Sequence, residues 1–420
     1  MKSLQLAIAT LFAAPCLHAA LPTYDSVELQ ARSNLLVNDE GWNLPPGSSF
    51  NSISASINAN AQVAFRVQVV PDAGDPGLSR PGVWFGAHGA GGLVHLGDID
   101  ALIDNDACVN DAGDIAFTIS DSGVGNNLYR YDASAGSAAP VNTLPVIPNS
   151  YQSPCVNANG DIGFQASFSS GRAYAARLGG TTTIYVGDAA VSPGSPYTYL
   201  YTPAFNAAGA IAAKVATSAD QFSAVEIRAF ASDGSSRRLL ANQATDGASP
   251  YSKFDNSLAL ADDGTVAVVA TRAADNRRVV VRSDGITTTE IAEVDPAGTI
   301  LELDSFPPAI NGSGWVAFRA RDARGQAIYL GDGDTLLRVV GNGDVVETDL
   351  GTAQLGQHDS SPVFSGRPAI NAHGDIAFVA GVHPNGNDQV EWGSGVFVAY
   401  ATPTVDDLVF ADGFDAAPGR

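Results

Sequence analysis

One phrase recurs along the 420-residue chain and limits what the chain can become. It reads "VNDAGDIAF" at 109–117, "VNANGDIGF" at 156–164, "INGSGWVAF" at 310–318 and "INAHGDIAF" at 370–378. Laid over one another, seven copies share an anchor position: Asn58, Asn110, Asn157, Asn206, Ala261, Asn311 and Asn371. The steps between anchors are 52, 47, 49, 55, 50 and 60 residues. Such a period marks supersecondary units that bury their apolar faces against one another.

Each column of the repeat has a physical reading. A Gly stands three residues after the anchor in six copies, and Ala61 takes its place in the first. Asn bonds its own downstream backbone and Gly supplies a positive φ, so N-x-x-G predicts a tight turn between two strands. Five residues after the anchor stands Val63, Ile115, Ile162, Ile211, Val266, Val316 or Ile376. Two further on stands Phe65, Phe117, Phe164, Ala213, Val268, Phe318 or Phe378. A spacing of two puts both on one face of the second strand. The residue between them is Ala or Gly in every copy, so the other face lies close to another layer. The residue before the anchor is always apolar, and the one before that is small, including Cys108 and Cys155. Pro154, Pro203, Pro308 and Pro368 come one earlier, at a strand start where a missing N–H is tolerated.

Third strands follow most copies, as in "GVWFG" (82–86) and "AIYLG" (327–331). Fourth strands follow several, as in "LVHLG" (93–97) and "TTIYVG" (182–187). Four antiparallel strands per repeat predict an all-β fold, a seven-bladed β-propeller. A parallel β-helix is the alternative, but its shorter rungs do not hold four strands. The seventh unit ends at "GVFVAY" (395–400) with no fourth strand, while an orphan "LLVNDEGWNLPPGSSF" (35–50) precedes the first copy. Residues 28–38 are therefore expected to complete the last blade, which removes an exposed sheet edge.

The chain opens "MKSLQLAIATLFAAPCLHAALP", with a basic start, a short apolar run and small residues at its end. That is the pattern of a secretory signal peptide over residues 1–20, too short in its apolar run to span a bilayer. The propeller then occupies 21–401 and a tail 402–420. No later stretch has the length of a transmembrane helix. With 22 Lys+Arg against 44 Asp+Glu, the net charge is −22, which disfavours nucleic acid as a partner. The expected location is periplasmic, cell-surface or extracellular, and the expected state is a monomer. Export permits disulfides. Cys108 and Cys155 share a column in adjacent blades, so they form either a disulfide or two buried thiols.

The motif N-x-x-G-x-x-A-F is complete in copies two, six and seven. It resembles the repeat of the bacterial choice-of-anchor tandem repeat N-x-x-G-x-x-A-F-containing proteins, over nearly the whole mature chain. The fifth copy departs most, with Ala261 and Val268. The pattern is also similar to TolB-like and WD40-like propeller repeats. The tail "DDLVFADGFDAAPGR" (406–420) is similar to a short I-F-A-D-G-F-E ending of exported bacterial proteins. The resemblance implies export and a repeat scaffold; it does not imply a known activity, so it carries over no catalytic residues.

Catalytic signatures for hydrolases, zinc proteases and phosphate loops are missing. His358, Asp359, His373 and His383 are conceivable metal ligands, but the plainer reading is loop histidines. "GDGD" (331–334) and "GNGD" (341–344) lack the ligand run of a calcium loop and read as turns. Asp114, Asp161 and Asp375, just after the turn Gly, read as solvent-facing turn ends. No cofactor or metal is expected. Loops leading into the inner strands should gather at the axial mouth. Asp104, Asp106, Tyr151, Tyr201, Asp255, Asn256 and Arg367 are the binding candidates there. The favoured role is a non-catalytic binding scaffold for an unknown protein or glycan. The alternative is a secreted glycan hydrolase or lyase working through axial carboxylates, which needs two convergent acids.

Overall fold

The computed structural model describes residues 20–33, 41–50, 53–70, 78–99, 101–103, 105–121, 125–141, 144, 146–358 and 361–403. Residues 1–19 of the expected signal peptide, nearly all of the expected tail, Asp104 and Asp359 lie outside these residues.

The described chain is all β. It forms seven antiparallel sheets, one per repeat, arranged as the blades of a propeller. In blade one Ser56–Ile57 lies inside, followed outward by Val63–Val69, Arg80–Ala87 and Ala90–Leu96. The innermost pairing is the same in every blade. The apolar residue before the anchor faces the β-branched residue after the turn, as in Ile57 with Val63 and Ile370 with Ile376. The two small columns also meet, as in Cys108 with Ala116 and Cys155 with Gly163. The turn between them closes by a bond such as Gly113 N–H to Asn110 O at 3.0 Å, with Gly113 at φ 85°. Ala61 adopts the same left-handed conformation at φ 55° without a glycine's freedom.

Alternation on the second strand sets how blades pack. Val63 and Phe65 sit in one cluster with Ala377 and Val379 of blade seven. Ala64, between them, packs with Val109, Ile115 and Phe117 of blade two. Large residues thus look back to one neighbour, and the small one receives the large residues of the other. Blade three shows why the column stays small. A Cβ on Gly163 would collide with the ring of Phe205 from blade four.

A second link joins the blades through the anchor itself. The Oδ1 of Asn110 accepts the N–H groups of Ala112 and Asp114 at 3.0 and 2.9 Å, which builds the turn. Its Nδ2 donates 2.8 Å to the carbonyl of Asn157, the next anchor. Asn58 donates in the same way to Asn110 O at 3.0 Å, Asn206 to Ala261 O at 3.1 Å and Asn311 to Asn371 O at 3.1 Å. Asn371 closes the circle on Asn58 O at 2.9 Å. Asn157 reaches Ala207 O instead, at 3.2 Å. Only Ala261 has no amide to offer, so the link from blade five to blade six is missing.

The aspartates after the turn Gly correct the solvent-facing reading. Asp114 and Asp375 are buried. Asp114 accepts Arg130 Nη2 at 2.7 Å and the Ala133 N–H at 3.0 Å. Asp375 accepts the Ala401 N–H at 2.9 Å. Asp161 accepts the Gly179 N–H at 2.8 Å. Each one ties its turn to the end of its own third strand.

The ring closes through Thr23–Ser33, which pairs antiparallel with Gly393–Thr402, placing Leu29 opposite Phe397. This strand starts five residues before the expected 28–38, and residues 34–38 lie outside the described chain. The longest step between anchors, 311 to 371, holds an extra hairpin, Val345–Thr348 with Gly351–Leu355, paired to the far end of Ile376–Pro384. Arg32 is 1% exposed and grips Asp349 at the hairpin tip with Nε and Nη2, at 2.8 and 2.9 Å. The closing strand is therefore held by its ladder and by an ion pair whose guanidinium is buried.

Candidate functional site

The runs that lead into the inner strands converge on the axis. They enclose a cavity of about 460 Å³ to which all seven blades contribute. Its wall is the small column, including Cys108, Cys155, Ala204, Ala259, Ala309 and Ala369. Cys108 and Cys155 are joined there as a disulfide, with Cα atoms 5.0 Å apart. Small side chains keep this part of the axis open.

Three charged side chains among the described residues line the cavity: Arg66, Asp106 and Arg367. Asp106 Oδ1 lies 3.4 Å from Arg66 Nε and accepts the Ser54 N–H at 3.1 Å. Arg66 Nη1 donates to Ile103 O at 2.8 Å. Arg367 is exposed, and its backbone N–H donates to Ser54 Oγ at 3.0 Å. The described lining thus holds two guanidinium groups against one carboxylate, although the whole chain carries −22. An excess of fixed positive charge in a concave site raises the local concentration of anionic groups.

The remaining candidates fall elsewhere. Tyr151 is buried in the core between blades two and three, edge-on to Phe164 at 5.3 Å. Asp255 is taken by Arg278 Nη2 at 2.6 Å. Tyr201 and Asn256 border a separate cavity of about 240 Å³ on the same face. Arg66, paired to Asp106, was missed by sequence reasoning because it lies on a second strand and not in a lead-in run.

Lys214 was missed for the same reason. It is buried on the second strand of blade four, where its Nζ donates to Phe254 O and Asn256 Oδ1, each at 2.9 Å. The ammonium also lies 4.2 Å from the centre of the Tyr201 ring. Burial pushes its pKa down to about 8, against a smaller opposing pull from Asp255.

The opposite, turn-side mouth has a cavity of about 300 Å³, ringed by the anchor residues. Its carboxylates Asp111 and Asp262 accept the N–H groups of Ala59 and Ala207, at 2.8 and 2.9 Å. They act as further blade-to-blade links. No group of metal-ligating side chains gathers among the described residues. His373 is exposed on its turn, and His383 is buried against Pro384 O at 2.9 Å. Asp332 accepts the N–H groups of Asp334 and Thr335, and Asp344 pairs with Arg338. Both calcium-like stretches are turns stabilised from within. No helix among the described residues is long and apolar enough to cross a membrane.

Solved structures share this architecture. The β-propeller domain of the Trilobed protease from Pyrococcus furiosus is similar at 10% identity and a TM-score of 0.50, over 83% of this chain and 94% of that one. That domain has an open velcro topology; here the N-terminal strand closes the last blade. A Mycobacterium tuberculosis puromycin-hydrolyzing peptidase matches at 14% identity and a TM-score of 0.47, over 79% of this chain and 50% of that one. TolB from Acinetobacter baumannii matches at 15% identity and a TM-score of 0.40, over 66% of this chain and 63% of that one. The chain thus spans about half to under two thirds of the length of these last two proteins. No curated protein matches the sequence. The sequence profile of a family of unknown function, DUF7453, matches residues 176–419, more than half of the chain, and the protein belongs to that family.

Proposed function

We propose that this protein is an exported, monomeric propeller that binds an anionic group of a protein or glycan ligand at its lead-in axial mouth, without catalysis. One observation carries the reading: the axial cavity concentrates Arg66 and Arg367 around a single described carboxylate. Glycosidic chemistry needs a pair of carboxyl groups roughly 5–10 Å apart. The described lining of this cavity offers only Asp106, already engaged by Arg66. The N-terminal leader pattern and the resemblance to N-x-x-G-x-x-A-F repeat proteins support export. The Cys108–Cys155 bond suits an oxidising compartment.

The test is a binding array of peptides and oligosaccharides, read in parallel for turnover. Binding of carboxylate-bearing ligands without turnover, weakened about tenfold by Arg367→Ala, is the expected result. Turnover that vanishes in Asp106→Asn would overturn the scaffold reading and restore the glycan-enzyme alternative.

A further inference from the structure

A second cavity lies on the lead-in face between blades three, four and five, beside the axial one. It encloses about 240 Å³, below the roughly 300–1,000 Å³ of pockets for drug-sized ligands. A space of that size suits one ring-sized group.

Its floor is a fixed acceptor. Gln165 is 1% exposed, and its Nε2 donates to Leu200 O and Tyr201 O at 3.1 and 2.8 Å. Two carbonyls can be satisfied only by the amide nitrogen, so the side-chain orientation is set by chemistry. Its Oε1 has no partner among the described residues, in a residue that lines the cavity. An acceptor with no protein partner bonds instead to what occupies the cavity.

Its side carries a fixed donor. Lys214 Nζ donates to Asn256 Oδ1 at 2.9 Å. An ammonium has no acceptor capacity, so the Asn256 oxygen must face it. The Asn256 Nδ2 is left as a donor with no partner among the described residues, again on the cavity wall. Arg172 adds a guanidinium, stacked 4.1 Å over the ring of Tyr199.

The rim is an aromatic ring held in the open. Phe222 is 74% exposed, yet its loop is rigidly built. Asp220 Oδ1 accepts the N–H groups of Phe222 and Ser223 at 3.1 Å each, and the Ser218 hydroxyl at 2.6 Å. Tyr201 Oη donates to Gln221 O at 2.5 Å, and Asn242 Nδ2 to Ser223 O at 2.7 Å. Gln221 is held at φ 64°, a conformation that persists where the surroundings over-determine it.

We infer that this cavity is a saccharide subsite, in which a pyranose ring stacks on Phe222 and its hydroxyls bridge Gln165 Oε1 and Asn256 Nδ2. A sugar hydroxyl both donates and accepts, matching one fixed acceptor beside one fixed donor. The C–H face of a pyranose is apolar and covers an aromatic ring, as apolar surface does elsewhere. No carboxylate lines the cavity among the described residues, so a cationic ligand finds no counter-charge there. The subsite stands apart from the axial mouth and does not depend on Arg66 or Arg367.

The test uses the mature full-length chain and calorimetric titration with cello-, chito- and xylo-oligosaccharides, oligogalacturonides and a set of unrelated peptides. One saccharide class is expected to bind, with affinity falling at least tenfold in both Phe222→Ala and Asn256→Ala. Phe222 is exposed, so its variant should unfold at the wild-type midpoint, and Arg367→Ala should leave this binding unchanged. Absence of saccharide binding overturns the inference. So does saccharide binding that survives Phe222→Ala, or peptide binding that Phe222→Ala abolishes. Loss with Arg367→Ala alone would move the saccharide to the axial mouth and overturn the subsite.

Discussion

The ring of anchor asparagines makes a quantitative demand. Asn110→Ala removes four bonds: from the N–H groups of Ala112 and Asp114 to Oδ1, and from Nδ2 to Asn157 O and, at 3.4 Å, to Asp114 Oδ2. Each such bond contributes about 1 kcal/mol net, and a buried partner left unpaired costs more. Asp114 is buried, and the Ala112 side of the turn recovers water, so a loss of roughly 2–4 kcal/mol is expected. Asn110→Asp separates the two roles of the side chain. Aspartate keeps the acceptor that shapes the turn, and in an isolated turn it serves about as well as asparagine. It cannot donate to Asn157 O, and it places a carboxylate where Nδ2 now lies 3.4 Å from Asp114 Oδ2. The Asp variant should therefore also be destabilised, by at least about 1 kcal/mol. Urea unfolding followed by tryptophan fluorescence and far-ultraviolet dichroism reads both variants. If Asn110→Asp matches the wild type while Asn110→Ala falls, the amide serves only its own turn and the blade-to-blade link contributes nothing. If both stay within about 0.5 kcal/mol, the reasoning fails altogether.

Ala261→Asn should supply the missing link from blade five to blade six, and a urea midpoint no higher than wild type would count against it; the gain should be about 1 kcal/mol. Arg32→Met leaves the mostly covered Asp349 carboxylate at the hairpin tip without its partner and should destabilise the closing strand by up to about 3 kcal/mol, read as earlier proteolysis of residues 20–33. Reducing Cys108–Cys155, which are 47 residues apart, should lower stability by up to about 4 kcal/mol on the chain-entropy view. Thiol labelling should find no reactive cysteine before reduction. Lys214 has a folded pKa near 8, below the unfolded lysine value, so the unfolded chain binds more protons between about pH 8 and 10. Stability from this group should rise across that window, the full cost of its charge being present below pH 8. Lys214→Met should flatten the rise, and an unchanged pH profile would refute the assignment. The rise ends where unfolded lysine loses its own proton; separately, burial raises the pKa of Tyr174, so stability from that group is lost as the pH climbs further.

Much of this architecture could be read from residues alone. Seven anchors fixed the number of blades, and the columns after them gave the turn, the strand direction and the face that must stay small. These are local properties. A turn is decided by residues three apart and a strand face by residues two apart, so their physics is written in short stretches. The placement of Cys108 and Cys155 in one column came from the same periodicity.

What the residues could not disclose was the partner of each polar group. Asn110 looks like a turn residue, and half of its bonding is that; the other half goes to a carbonyl 47 positions away. Asp114 looks solvent-facing until the third strand folds back over it. Tyr151 belongs to a lead-in run, yet its ring is buried between blades because its strand carries a bulge between Gln152 and Cys155. Arg32 and Asp349, separated by 317 positions, meet only when the ring closes. Gln165 and Asn256 form one cavity wall only because three successive blades curve around a common axis. Periodicity along the chain determines which face a residue occupies. The curvature of the ring decides what that face meets, because contacts between blades join residues about one repeat or one full turn apart.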